Sequence, residues 1–177
     1  MHEGKMVFSQ VMELVPCRRF QTCVERYRGD HKVISLRTHE FFKIMAFAQI
    51  TGRESLSSTA LCLNALSSQC YHFGIRSKIT KSNLAHANNK RSWKIFFDFA
   101  HILIKETTKL YSNDSIKLDI NEGVYALDST TIDLCLTLFP WAHFRKTKSA
   151  IKMHTKINLK GKIPDFILIS TGKMHDF

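Results

Sequence analysis

The stretch Val124-Tyr125-Ala126-Leu127-Asp128-Ser129-Thr130-Thr131-Ile132-Asp133-Leu134 divides the chain into two textures. Its β-branched and aromatic residues read as a strand with a carboxylate, Asp128, set into it. Burying that charge costs free energy unless it is paired or bound to a metal. Two readings of Asp128 are open. It starts a turn or caps a short helix, with Ser129, Thr130 and Thr131 bonding locally to backbone, or it belongs to a site. Downstream, Ala150 to Leu159 and Ile163 to Ser170 read as two further strands. The intervening Asn158-Leu159-Lys160-Gly161-Lys162 suits a tight hairpin, so these two should pair antiparallel.

Upstream the pattern is helical. Val7 to Tyr27 carries Val11, Leu14, Val15 and Phe20 at helical spacing and is broken at Pro16. Thr38 is placed to cap a helix that runs to Ile50 and stops at Thr51-Gly52. A helix from Glu54-Ser55 has the stripe Leu56, Ala60, Leu63 and Leu66. A short polar helix over 81–90 is capped by Thr80 or Ser82. Trp93 to Tyr111 is the strongest pattern, with Trp93, Phe96, Phe97, Ala100, Leu103, Ile104 and Leu110 expected on its buried face. The fold class expected is therefore α+β: a helical region over 1–115, then a β region over 116–177, with the boundary near Ser112 to Ile120.

Of 177 residues, 44% are apolar, enough for a core, and no run approaches the roughly 20 clean residues of a membrane span. The start of the chain has no apolar signal-peptide segment, so a cytoplasmic location is expected, with no membrane partner. Five cysteines, Cys17, Cys23, Cys62, Cys70 and Cys135, show no zinc-ligand spacing and read as free, mostly buried thiols.

The net charge of +11, from 26 basic and 15 acidic residues, points to a polyanionic partner. Its placement is more specific. Arg76, Lys78, Lys81, Lys90, Arg91 and Lys94 lie in a segment with no acidic residue, interleaved with Asn83, His86 and Asn88. Lys and Arg neutralise phosphates, while Asn and Ser also reach base edges. The helix over 55–67, a turn containing Gly74 and the helix over 81–90 are arranged like a helix-turn-helix, although an ordinary solvated helix fits the same residues. A second basic block holds Lys152, Lys156 and Lys173. Alternation puts Lys152, His154 and Lys156 on one face of their strand and Ile151, Met153, Thr155 and Ile157 on the other. A basic sheet face beside an acidic residue would suit chemistry on a phosphodiester.

Several motifs, in order, resemble transposases of the fourth insertion-sequence family. They include Gln49-Ile50-Thr51-Gly52-Arg53-Glu54-Ser55-Leu56, Tyr71-His72-Phe73-Gly74-Ile75, Ser82-Asn83-Leu84-Ala85-His86-Ala87-Asn88, Tyr125-Ala126-Leu127-Asp128-Ser129-Thr130-Thr131, Lys152-Met153-His154-Thr155, Gly161-Lys162-Ile163-Pro164 and Gly172-Lys173-Met174-His175-Asp176. The resemblance implies an RNase H-like catalytic domain of the DDE type, here its first three antiparallel strands. It also implies double-stranded DNA as partner, at terminal inverted repeats, a dimer on that DNA, and association with the bacterial nucleoid. In such a domain two aspartates and a glutamate bind two Mg2+ ions, about 3.5–4 Å apart, for strand cleavage and transfer. Asp128 matches the first aspartate and is the catalytic and metal residue expected here. Asp133, five residues on, falls on the opposite strand face. Asp176 belongs to a segment that precedes the second aspartate, so Asp128 is one third of a site, and little or no cutting is expected of this chain alone. The alternative implied is a non-catalytic DNA-binding protein that competes with intact transposase.

Overall fold

The computed structural model describes residues 6–111, 124–134, 137, 140–145, 148–159 and 162–174. It is α+β, with seven α-helices among the described residues followed by an antiparallel sheet, and it divides into two compact units, residues 1–100 and 101–177. The boundary expected over 112–120 lies outside the described residues, as do Cys135, Gly161 and Asp176.

In the first unit, α1 (Val7–Glu13) and α2 (Cys17–Arg26) are separated at Pro16, which precedes the first residue of α2. The α2 face Phe20, Cys23 and Val24 is at most 1% exposed, the i, i+3, i+4 spacing of a helix lying on a core. It ends in a Schellman motif: Gly29 N–H donates to Val24 O at 2.8 Å and Arg28 N–H to Glu25 O at 3.0 Å, with Arg28 left-handed at φ 51°.

Helix α3 (Thr38–Ile50) closes in the same way, Arg53 N–H donating to Ala48 O at 2.8 Å and Gly52 adopting φ 63°, as Thr51-Gly52 led one to expect. Its start differs from expectation. Thr38 is the first helical residue, and Asp30 supplies the cap from eight residues upstream, accepting from both Thr38 N–H and Thr38 Oγ1 at 2.7 Å. Thr38 is fully buried, so a carboxylate from another segment satisfies donors that water cannot reach.

Helix α4 (Leu56–Ala65) begins in a capping box of Ser55 and Ser58. The one-turn α5 (Ser67–Cys70) follows, then Gly74 at φ 71°, and α6 (Lys81–Lys90), whose Thr80 cap accepts from Asn83 N–H at 3.1 Å. A core cluster of Phe41, Ile44, Phe47, Leu63, Phe73, Ile79 and Leu84 joins α3, α4 and α6, and Phe8 stacks edge-on against Phe47 and Phe73.

The helix α7 (Trp93–Leu110) buries a different face from the one expected. Ile95 and Phe99 are 0% and 1% exposed, whereas Trp93 is 60% exposed and Leu110 78%. Apolar residues occur nearly all round this helix, so periodicity alone does not choose a face. The α2 and α3 aromatics choose it: Phe99 packs on Phe20 at 4.9 Å and on Phe42 at 5.5 Å between ring centroids. Asp98 fixes the rotation, accepting from Arg26 Nη1 at 2.7 Å and Tyr27 OH at 2.8 Å.

In the second unit, β1 (Tyr125–Leu134), β3 (Lys148–Asn158) and β4 (Ile163–Thr171) are the three long strands expected, and β3 and β4 pair antiparallel. A three-residue strand, β2 (His143–Arg145), was not foreseen. β3 is central, paired with β1 along one edge and with β4 and the short β2 along the other. The left-handed residue seen at the β3–β4 connection is Lys162, at φ 53°. No described helix is long and apolar enough to cross a membrane.

Candidate nucleic-acid interface and the Asp128 strand

Helix α6 docks through Leu84 and Ala87, 0% and 2% exposed, and leaves Lys81, His86, Asn88 and Lys90 exposed. Arg76 and Lys78, on the segment leading into it, are exposed as well. Glu40 lies behind this segment and is occupied, accepting from Arg76 N–H at 3.1 Å and from Ser77 Oγ. The Arg76 guanidinium lies over the Tyr71 ring, 5.6 Å from its centroid, leaving its edge open to a phosphate.

Two expectations for this region need correction. Arg91 is no surface cation: it is 9% exposed, with Nε donating to Thr38 Oγ1 at 3.0 Å and a terminal nitrogen to Leu36 O. Burial pulls its pKa down, an effect offset in part by the charge of Asp30. Arg91 follows Ala87 by four residues and Leu84 by seven, one and two helical turns, and that periodicity turns it inward. Asn83 and Asn88, each a candidate base contact, emerge on different sides of α6. At 100° per residue Asn83 and Asn88 are about 140° apart around the axis. The Asn83 amide is also engaged, donating to Lys78 O at 3.3 Å. The connection from α4 to α6, residues 66–80, holds α5 and an extended stretch, longer than the three- or four-residue turn of a helix-turn-helix.

Sequence reasoning missed residues 28–35. A concavity of ≈ 430 Å³ lies between this segment and α6, lined on one side by Arg28, His31 and Lys32 and on the other by His86, Lys90 and Arg91. The signal was faint because Arg28, His31 and Lys32 are interspersed with Glu25 and Asp30 in the sequence and meet His86 and Lys90 only when the segment folds back on α6.

In the second unit Asp128 stands on β1 opposite Thr155 of β3. It is exposed, with the Thr130 hydroxyl 3.5 Å from its Oδ2. The desolvation cost anticipated for a carboxylate in an apolar strand is therefore small, since water reaches it. The β1–β3 register separates it from the strand's cations. Lys156 pairs with Leu127 and Lys152 with Thr131, so Lys152, His154 and Lys156 occupy the face opposite to that of Asp128 and Thr155. A basic face beside the carboxylate, expected from the sequence, is not what the register produces. A one-residue slip would have brought them together.

That opposite face is also less simply basic than alternation suggested. His154 is 5% exposed and shares a 3.0 Å hydrogen bond with Ser170 Oγ. Lys156 pairs with Asp165 at 3.0 Å and covers the Tyr125 ring at 3.9 Å. A hollow of ≈ 280 Å³ there is lined by Leu127, Ser129, His154, Lys156 and Phe166, with Asp128 and Thr155 contributing from between them. Lys173, just after β4, is exposed.

The donor set for a metal is thin. Among the described residues no group of three or more His, Cys, Asp or Glu is placed to hold an ion. Asp133 alternates to the other face of β1, and Asp165 is taken by Lys156. Asp128 alone does not fit two Mg2+ ions, each of which takes six oxygen ligands in near-octahedral geometry.

No curated protein and no solved structure matches this chain. Residues 3–76 match the model of a family described as a domain of unknown function (DUF4372), and this domain is found in transposase-like proteins.

Proposed function

We propose that this chain is a transposase-type protein. Its helical unit binds double-stranded DNA, and its β unit carries Asp128 as the first carboxylate of a DDE, RNase H-like strand-transfer site. The observation that carries the DNA reading is the exposed cationic surface around α6. Arg76, Lys78, Lys81 and Lys90 are all exposed there, and no acidic residue lies between 76 and 94. Phosphate contacts supply most of the sequence-independent affinity for DNA, and such contacts need cations free of competing carboxylates. The match over residues 3–76 to a domain found in transposase-like proteins supports the same reading.

A second reading, DNA binding without chemistry, is favoured by the isolation of Asp128 from other potential ligands among the described residues. Both readings require salt-dependent binding. If the four cations each neutralise one phosphate, the logarithm of the association constant falls with the logarithm of salt concentration at a slope of about −3.6. Fluorescence anisotropy on a labelled duplex between 50 and 300 mM salt, roughly the range over which such slopes are read, measures this. A slope near zero would sink both. Mg2+-dependent nicking that vanishes in Asp128→Asn supports the strand-transfer role, nicking that survives the substitution refutes it, and no nicking by the wild-type chain favours DNA binding without chemistry.

A further inference from the structure

We infer that the concavity between residues 28–35 and α6 is a clamp for the phosphate backbone of DNA, a contact made in addition to the α6 surface itself. The inference rests on the DNA-binding reading above and adds a second strand of cations to it. His86 and Lys90 are four residues apart on α6 and therefore neighbours on its surface. They form one wall of the concavity, and Arg28, His31 and Lys32 form the other. Arg28, His31, Lys32, His86 and Lys90 are all exposed, and no carboxylate lines the space.

The one acidic residue of the segment, Asp30, is turned inward. Its Oδ1 accepts both Thr38 bonds at 2.7 Å, and its charge acts on Arg91, which also lines the concavity. The free positive charge is therefore that of Arg28, Lys32 and Lys90.

The backbone argues for the same use. Arg28 and Lys32 both adopt left-handed conformations, at φ 51° and 56°. Glycine or asparagine occupies such positions at lower cost, and a long cationic side chain gains nothing there from packing. Turn hydrogen bonds hold the conformation in place: His31 N–H donates to Arg28 O at 3.0 Å and Val33 N–H to Asp30 O at 3.2 Å. Arg91 ties down the far end through Leu36 O. A segment presenting two cations across from a third suits consecutive phosphates on one strand.

The experiment compares salt slopes on duplex DNA for the full chain and three variants. Arg28→Asn with Lys32→Asn keeps residues that tolerate the left-handed region, so the fold should hold, and it should lower the magnitude of the slope by about 1.8. The loss should be equal on A·T-rich and G·C-rich duplexes, because backbone contacts carry no sequence information. Lys81→Gln, on another flank of α6, should lower the slope by about 0.9. Exchanging the cations, Arg28→Lys with Lys32→Arg, should leave it unchanged. If the double Asn variant keeps the wild-type slope while Lys81→Gln lowers it, the clamp is wrong and DNA binding through α6 stands. A fall of the same size in the charge-exchanged variant would overturn the clamp too, because the effect would then belong to folding. Wild-type binding that ignores salt would remove the DNA reading and the clamp together.

Discussion

Replacing Arg91 separates a structural cation from its surface neighbours. In Arg91→Met the aliphatic stem is roughly kept and the guanidinium is lost, along with hydrogen bonds to Thr38 Oγ1 and Leu36 O. Hydrogen bonds from a charged donor are worth about 1.5–3 kcal/mol each, and a buried acceptor left without a partner sets the loss. Thr38 is fully buried and retains Asp30, while the carbonyl of the buried Leu36 loses the Arg91 donor. Taking the lower figure for both bonds gives a destabilisation of about 3 kcal/mol. For a unit of this size that corresponds to a fall in melting temperature of roughly 12–24 °C. Circular dichroism at 222 nm follows the helices directly, and DNA binding measured well below the melting range should keep the wild-type salt slope. Lys90→Gln, one residue away and exposed, should do the reverse, leaving the melt alone and reducing the slope by about 0.9. An Arg91→Met protein that melts with the wild type, or that loses slope as Lys90→Gln does, would refute the assignment of Arg91 to the interior.

Two glycines should respond differently to substitution. A Cβ on Gly29 would lie 2.6 Å from the buried Ile95 Cδ1 and 3.1 Å from Thr38 Oγ1, so Gly29→Ala should cost about 1–3 kcal/mol in thermal or urea melts, and Gly29→Asn at least as much. Gly52 has open space around it and φ 63°, so Gly52→Ala should cost about 1–2 kcal/mol for the backbone alone, with Gly52→Asn recovering most of it. Half-burial, then Lys43, lowers the pKa of His39 below its usual 6.5, so the neutral ring is the form the fold accepts. The associated stability is complete above that value and declines as pH falls through the depressed one; His39→Gln should flatten the urea midpoint over this acidic range. A profile with the wild-type slope in that variant would exclude His39 as the source. Cys17 is exposed, while burial raises the thiol pKa of Cys70 and of Cys23, the latter further raised by Asp98. A thiol reagent at neutral pH should therefore modify Cys17 well before Cys23 or Cys70, as peptide mapping would show.

The helical elements were legible because their ends are written locally. Pro16, the Ser55 box, the Thr80 cap and Gly52 each act within four residues of themselves, so a sequence window contains the whole cause. The buried face of α7 was not legible, because it depends on which aromatics of α2 and α3 meet Phe99. The cap of α3 failed for a related reason: Asp30 reaches Thr38 across a loop whose left-handed turns no local pattern announces. β2 was too short to have a period.

By itself the sequence determined the α+β division, the three long strands, the acid-free cationic segment around α6 and the prominence of Asp128 in β1, all consequences of composition and short-range spacing. Tertiary structure alone decided which charges act together. It turned Arg91 inward, brought Arg28 and Lys32 across from Lys90, and set a β1–β3 register in which Asp128 and the β3 lysines occupy opposite faces. Charge is carried by residues, but its effect depends on distance and on which side of a sheet or helix it emerges. Those are fixed by pairing between segments far apart in the chain.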